Sequence, residues 1–249
     1  MPTERVTISK EEFDKGRVPS VNNAVIVEVE YSCEGYTTAS GIIIGVNVDA
    51  IYEHGVESHA ADMTEVYGRV VRVPEILPYS KNDPNGMSWN PEMEIEVGDY
   101  VWFNIIISRN CSEIVVGDRL YKVITYEDLI AAKKGGIDGE IIPLNGNCLI
   151  EPIKEQSLSK FDILSSNKTD IHKGIARYVG KPVIEYQTPL NYDHKDVQVG
   201  DLVTFDKNYV PYYLERKKIM AEFDDDNLYF VAQRRRIAMT QREGSYEVK

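Results

Sequence analysis

Apolar and polar positions alternate along much of this chain in short runs broken by Gly, Asp and Pro, which predicts strands joined by turns. The clearest run is Val97-Gly98-Asp99-Tyr100-Val101-Trp102-Phe103-Asn104, a Gly-Asp turn feeding a half-buried strand. It has a counterpart, Val199-Gly200-Asp201-Leu202-Val203-Thr204-Phe205-Asp206. Glycine suits the left-handed backbone such a turn needs, and the aspartate side chain can bond the turn's amides. Other segments recur around each octet in the same order. Residues 67–73 match 173–179, and Asn23-Ala24-Val25-Ile26-Val27-Glu28 is echoed by Asn147-Cys148-Leu149-Ile150-Glu151-Pro152. Leu120-Tyr121-Lys122-Val123 is echoed by Leu228-Tyr229-Phe230-Val231, and the copies continue to Leu129-Ile130-Ala131 and Ile237-Ala238-Met239. Such recurrence marks a tandem duplication. Ala24 and Gly68 lie 44 positions apart but Cys148 and Gly174 only 26, so the first copy carries 18 extra residues there.

The pattern divides the chain into an arm (1–21), a first copy (22–134), a linker (135–143), a second copy (144–240) and a tail (241–249). In the arm, Ser9-Lys10-Glu11-Glu12 has capping-box spacing and Gly16 stands where a helix would stop. The first copy opens with a strand from Ala24 and then a long loop, 31–66. That loop is small, polar and acidic except for Ser40-Gly41-Ile42-Ile43-Ile44-Gly45. Three isoleucines between glycines fit either a short buried strand or an apolar anchor on a tether; short apolar runs are more often core. Pro74, Pro78, Asp83-Pro84-Asn85-Gly86 and Pro91 make a turn-rich excursion. Residues 114–124 read as a hairpin turning at Gly117-Asp118. Thr125 is placed to cap a short helix with Glu127 and Asp128 in its first turn, Lys133 and Lys134 in its last, and Gly135 beyond. The second copy has a shorter loop, 154–172, whose apolar residues are Leu158, Phe161, Ile163 and Leu164, and an aromatic stretch at Tyr209, Tyr212 and Tyr213. Asp224-Asp225-Asp226-Asn227 reads as a hairpin tip. Many short strands and few helices predict an all-β chain of two tandem barrels or sandwiches that hide their strand edges.

The octet, the strand order and the placement of the first loop resemble the GroES co-chaperonin family. Its small irregular β-barrel extends a mobile loop whose Gly-flanked aliphatic tripeptide docks on a chaperonin ring. Gly41, Ile42, Ile43, Ile44 and Gly45 fall where that tripeptide stands; residues 68–73 match the strand after it, 74–94 the roof hairpin, and 126–132 the C-terminal segment. The resemblance implies two GroES-like irregular barrels with short helical segments and extended loops, forming a co-chaperonin that caps a GroEL-type ring and encloses an unfolded client. ATP would be bound by the partner, with no cofactor on this chain. Phe161, Ile163 and Leu164 are the counterpart in the second loop, without flanking glycines; Tyr209, Tyr212 and Tyr213 are candidates to line the chamber. The resemblance also implies a homo-oligomeric ring. Seven sites do not divide by two, so seven chains engaging through the first copy, with second copies adding height, is the expected assembly. Double-barrel forms occur in plastids behind a transit peptide; acidic residues at Glu4, Glu11, Glu12 and Asp14 point instead to a bacterial or bacteriophage source.

Charge and composition narrow the rest. A net charge of −12 argues against sequence-independent nucleic-acid binding, which needs Lys and Arg on phosphates. Arg234-Arg235-Arg236 is a local exception, read as a solvated strand edge or helix face. No apolar run is long enough for a membrane-spanning helix. Cys33, Cys111 and Cys148 are odd in number and scattered, as expected of free thiols in a cytoplasmic protein, host cytoplasm if viral. His54, His59, His172 and His194 lack zinc-ligand spacing. Gly135-Gly136-Ile137-Asp138-Gly139 follows a predicted helix rather than a strand, so it is no dinucleotide fingerprint, and no enzyme chemistry is expected. The alternative function is a structural or assembly protein whose Ile42-Ile43-Ile44 loop packs on another subunit of a particle.

Overall fold

The computed structural model describes residues 5–16, 22–29, 36–37, 43–44, 67–78, 92–103, 107, 110–154, 169–183, 197–205, 221–224, 227–242 and 244. They are mostly strand. The first copy contributes β2 (Ala24–Val29), β5 (Tyr67–Arg72), β6 (Tyr100–Phe103), β7 (Ser112–Val116), β8 (Arg119–Thr125) and β9 (Leu129–Lys134). The second contributes β11 (Asn147–Lys154), β12 (Thr169–Val179), β13 (Leu202–Phe205), β14 (Ala221–Asp224), β15 (Asn227–Gln233) and β16 (Ile237–Gln241). The first sheet runs β7-β8-β2-β5-β6-β9 and the second β14-β15-β11-β12-β13-β16, which is the same order position for position, with every pair antiparallel. The first sheet is widened by β1 (Arg5–Ile8), parallel to β7, and β10 (Glu140–Pro143), antiparallel to β9. Among the described residues no helix is long and apolar enough to cross a membrane.

Alternation places each core. Val25, Val27 and Val29 of β2 face inward with Val101, Phe103, Ile124 and Leu129. Cys148 and Ile150 of β11 do the same with Val203, Phe205, Phe230 and Ile237. Both Gly-Asp turns are built alike. Gly98 and Gly200 hold φ of 101° and 90°. The Gly98 amide donates to the Val70 carbonyl and the Gly200 amide to the Ala176 carbonyl, each at 2.8 Å. Asp99 Oδ2 accepts from the Glu96 amide and Asp201 Oδ2 from the Gln198 amide, again at 2.8 Å. The chain-ward cations differ in position but not in role: Lys134 Nζ and Arg242 Nη1 each sit 2.6 Å from that oxygen.

Register corrects the alignment of the first strands. Ile26 pairs with Val123 and Leu149 with Val231, so Ile26 is equivalent to Leu149 and Glu28 to Glu151, one residue from the match suggested by Asn23 and Asn147. Asn22 and Asn145 then coincide, both left-handed at φ of 55° and 54°. A one-residue slip exchanges the faces of a strand, but β2 is apolar on both, so the sequence pattern did not resist it.

Ser9 caps α1 (Lys10–Asp14): its Oγ accepts from the Glu12 amide at 3.2 Å and donates to Glu12 Oε2 at 3.1 Å. The hairpin turns at Gly117, with φ of 63°. The helix expected after Thr125 is a single 3-10 turn, Tyr126–Asp128, and the residues beyond form β9. Pairing of Leu129–Lys134 with β6 on one side and β10 on the other outweighs the helical charge pattern. Residues 135–143, expected as a linker, form the turn and return strand of the β9–β10 hairpin. Arg234, expected in a solvated run, is buried and donates from Nη1 to the Gly180 carbonyl at 2.9 Å.

Candidate functional site

The long loop leaves the end of β2 and returns in β5, its antiparallel neighbour. The shorter one leaves β11 and returns in β12 in the same way, with β12 already begun at Thr169. Both are therefore insertions at one point of a repeated plan.

The stem of the first is closely built. Glu28, near the end of β2, binds Arg69 Nη2 at 2.5 Å and Arg119 Nη1 at 2.7 Å. Burial disfavours the charged carboxylate, but the two guanidiniums outweigh it and hold its pKa below the ordinary glutamate value. A Cβ at Gly68 would lie 2.5 Å from the Glu28 carbonyl oxygen and 2.6 Å from Val27 Cγ1, so only glycine lets β5 approach this closely. The second stem repeats the device: a Cβ at Gly174 would lie 2.4 Å from Ile150 Cγ2, and Glu151 is paired with Arg177.

Within the first loop, β3 (Tyr36–Thr37) and β4 (Ile43–Ile44) form an antiparallel ribbon, Tyr36 opposite Ile44 and Thr37 opposite Ile43. Among the described residues this ribbon joins neither large sheet. Gly41, Ile42 and Gly45 lie outside the described residues, as do Phe161, Ile163 and Leu164 of the second loop and Tyr209, Tyr212 and Tyr213. Of the expected anchor, Ile43 and Ile44 alone lie among the described residues, on a strand that pairs only with β3 there.

Other chemistry-bearing side chains among the described residues are held within the fold. Among the described residues no group of three His, Cys, Asp or Glu is arranged to hold a metal. Burial raises the Cys148 thiol to about 11 and shifts Cys111 upward as well, away from a poised thiolate. Lys122 and Glu113 form a buried pair at 3.2 Å, extended by Arg5 at 2.6 Å. No protein-family model and no curated protein sequence matches this chain.

The sequence did not single out the residues joining the two copies. Trp102 and Ala131 on the outer face of the first sheet pack against Leu149, Tyr229 and Val231 of the second, with Ile141 of β10 alongside. Asn145 Nδ2 donates to the carbonyls of Tyr126 at 2.6 Å and Leu129 at 3.0 Å, tying the start of the second copy to the end of the first. The left-handed Asn145 needed for this was visible only as an Asn-Gly pair.

Proposed function

We propose that this chain is a tandem GroES-like co-chaperonin that grips a GroEL-type ring through Gly41-Ile42-Ile43-Ile44-Gly45. The supporting observation is the ribbon carrying Ile43 and Ile44, set on an insertion from a braced stem and joined to neither large sheet among the described residues. Three isoleucines entering an apolar groove gain about 5–9 kcal/mol gross, at roughly 1.5–3 each. Ordering a long polar loop offsets much of this, at about 1–2 kcal/mol per residue fixed. A single loop then binds weakly, and a ring of them binds tightly through effective concentration while staying releasable. The partner supplies ATP hydrolysis; this chain supplies the lid.

The test is capture of the full chain by a GroEL-type ring with and without ATP. Ile43→Asp is expected to abolish nucleotide-dependent capture and leave the melting temperature unchanged. A large loss of stability in that variant would put Ile43 in a core, and undiminished capture would put the anchor elsewhere; either result overturns the proposal.

A further inference from the structure

A cleft of about 690 Å³ opens where β5 ends, lined by Val73, Glu75, Ile76 and Val97, with Gly16 and Asn22 at the foot of the arm. Ile76 and Val97 are 77% and 64% exposed. Each follows an exposed carboxylate, Glu75 before the one and Glu96 before the other. Single exposed aliphatics are ordinary, but two at the mouth of one cleft, rimmed by charge, mark a surface that gains from being covered. The wall towards the arm is already settled. Phe13 packs with Ile26 and Tyr121, and the Arg72 guanidinium lies 4.6 Å from the Phe13 ring while donating to the Phe13 carbonyl.

The second copy shows what such a place accepts. By register Arg72 corresponds to Tyr178, so Glu75 corresponds to Lys181, and the left-handed Asn22 to Asn145. There a run of the first copy lies against these positions. Asn145 Nδ2 donates to two of its main-chain carbonyls, those of Tyr126 and Leu129. Lys181 Nζ lies 3.0 Å from Glu92 Oε2 and 3.5 Å from Glu94 Oε1. Glu75 reverses the charge of Lys181, so the segment that complements it is basic where Glu92 and Glu94 are acidic. A second copy of this chain docked in the same way does not supply that. Glu94 stands three residues before Val97 and Asp196 three before Val199, so either copy brings an acid to Glu75.

We infer that this cleft docks an extended segment of another protein in which basic residues flank an apolar one. The apolar side chain covers Ile76 and Val97. Lysine or arginine on either side lays its stem along the same surface and carries its charge to Glu75 and Glu96. Asn22 donates to the segment's main-chain carbonyls, as Asn145 does within the chain. The net charge of −12 acts in the same direction, drawing a cationic segment in faster at low salt. The inference rests on the correspondence between copies and not on the chaperonin reading, so capture by a chaperonin can fail while this holds.

Fluorescence anisotropy on the full chain tests it with three labelled hexapeptides: lysine alternating with valine, glutamate alternating with valine, and lysine alternating with serine. The lysine–valine peptide is expected to bind at least about tenfold more tightly than either of the others, with an affinity that falls as salt rises. Ile76→Ser with Val97→Ser should reduce it to the level of the lysine–serine peptide at an unchanged melting temperature. Glu75→Lys restores the sign of Lys181 and should move the preference to the glutamate–valine peptide. The proposal is overturned if no peptide binds, or if lysine–serine binds as well as lysine–valine, since charge alone would then suffice. It is also overturned if the serine double variant keeps full binding or Glu75→Lys leaves the preference as it was. A lower mass of the serine double variant in sedimentation velocity would give the cleft to a second copy of this chain and overturn it too.

Discussion

Asp99→Asn isolates the device that fixes the Gly-Asp turn. The carboxylate is almost wholly buried and takes three donors: the Glu96 amide at 2.8 Å, the Gly135 amide at 2.8 Å and Lys134 Nζ at 2.6 Å. An asparagine of the same shape keeps one acceptor oxygen and turns an amide N–H₂ towards the others. One buried backbone donor is left unmet, at roughly 1–3 kcal/mol. The half-buried Lys134 also loses the nearer of two carboxylates, Glu96 lying 3.9 Å away, at about 1 kcal/mol at most given its access to water. The sum is a loss of roughly 2–4 kcal/mol at pH 7, read by urea denaturation. Burial works against the Asp99 charge, but Lys134 and the two amides outweigh it and hold its pKa below the ordinary value. The stabilisation is thus present above the unfolded-state pKa of about 3.9 and is lost as pH falls through the lower folded value. The gap between parent and variant should therefore be wide at pH 7 and shrink progressively as pH falls below about 4. Asp201→Asn tests the matching turn of the second copy at pH 7, with Gln198 and Arg242 as its donors. A gap under about 0.5 kcal/mol at pH 7, or one that does not narrow in acid, would refute the account.

Two further outcomes follow from the same geometry. Gly68→Ala and Gly174→Ala each drive a methyl into a backbone carbonyl, at 2.5 and 2.6 Å, and should cost about 1–3 kcal/mol by overpacking, measured as a lowered melting temperature. Glu113→Gln leaves the buried Lys122 ammonium against a neutral amide and should cost about 3–5 kcal/mol in denaturant midpoint. Restoring an apolar core with Lys122→Phe in that background should recover part of it, since the second copy holds Phe230 at the equivalent place.

The repeat was legible because its signals are local. Gly98-Asp99, Gly200-Asp201, Gly117-Asp118 and Ser9-Glu12 are turn and cap chemistry that reads the same in any context. What was not legible depends on partners distant in sequence. The charges along 126–134 suit a helix, but β6 and β10 claim those residues as a strand. Glu140–Pro143 has no strand signature strong enough to outweigh its glycine-rich approach; its identity comes from the edge of β9. Of the expected anchor, only Ile43 and Ile44 lie among the described residues. The covering of Ile26 and Tyr121 by Phe13 crosses too much sequence for any periodicity to report.

The position of the two insertions carries a consequence for how such a chain can change. Each joins strands that already lie side by side, so its ends are held together whatever lies between them. The first spans residues 30–66 and the second 155–168, a ratio of about 2.6, and the difference in closure entropy is only about 0.9 kcal/mol. Lengthening or trimming one insertion therefore scarcely disturbs the sheet that bears it. A duplicated unit of this design can let one reach grow while the other shrinks, dividing labour between twins without redesigning either.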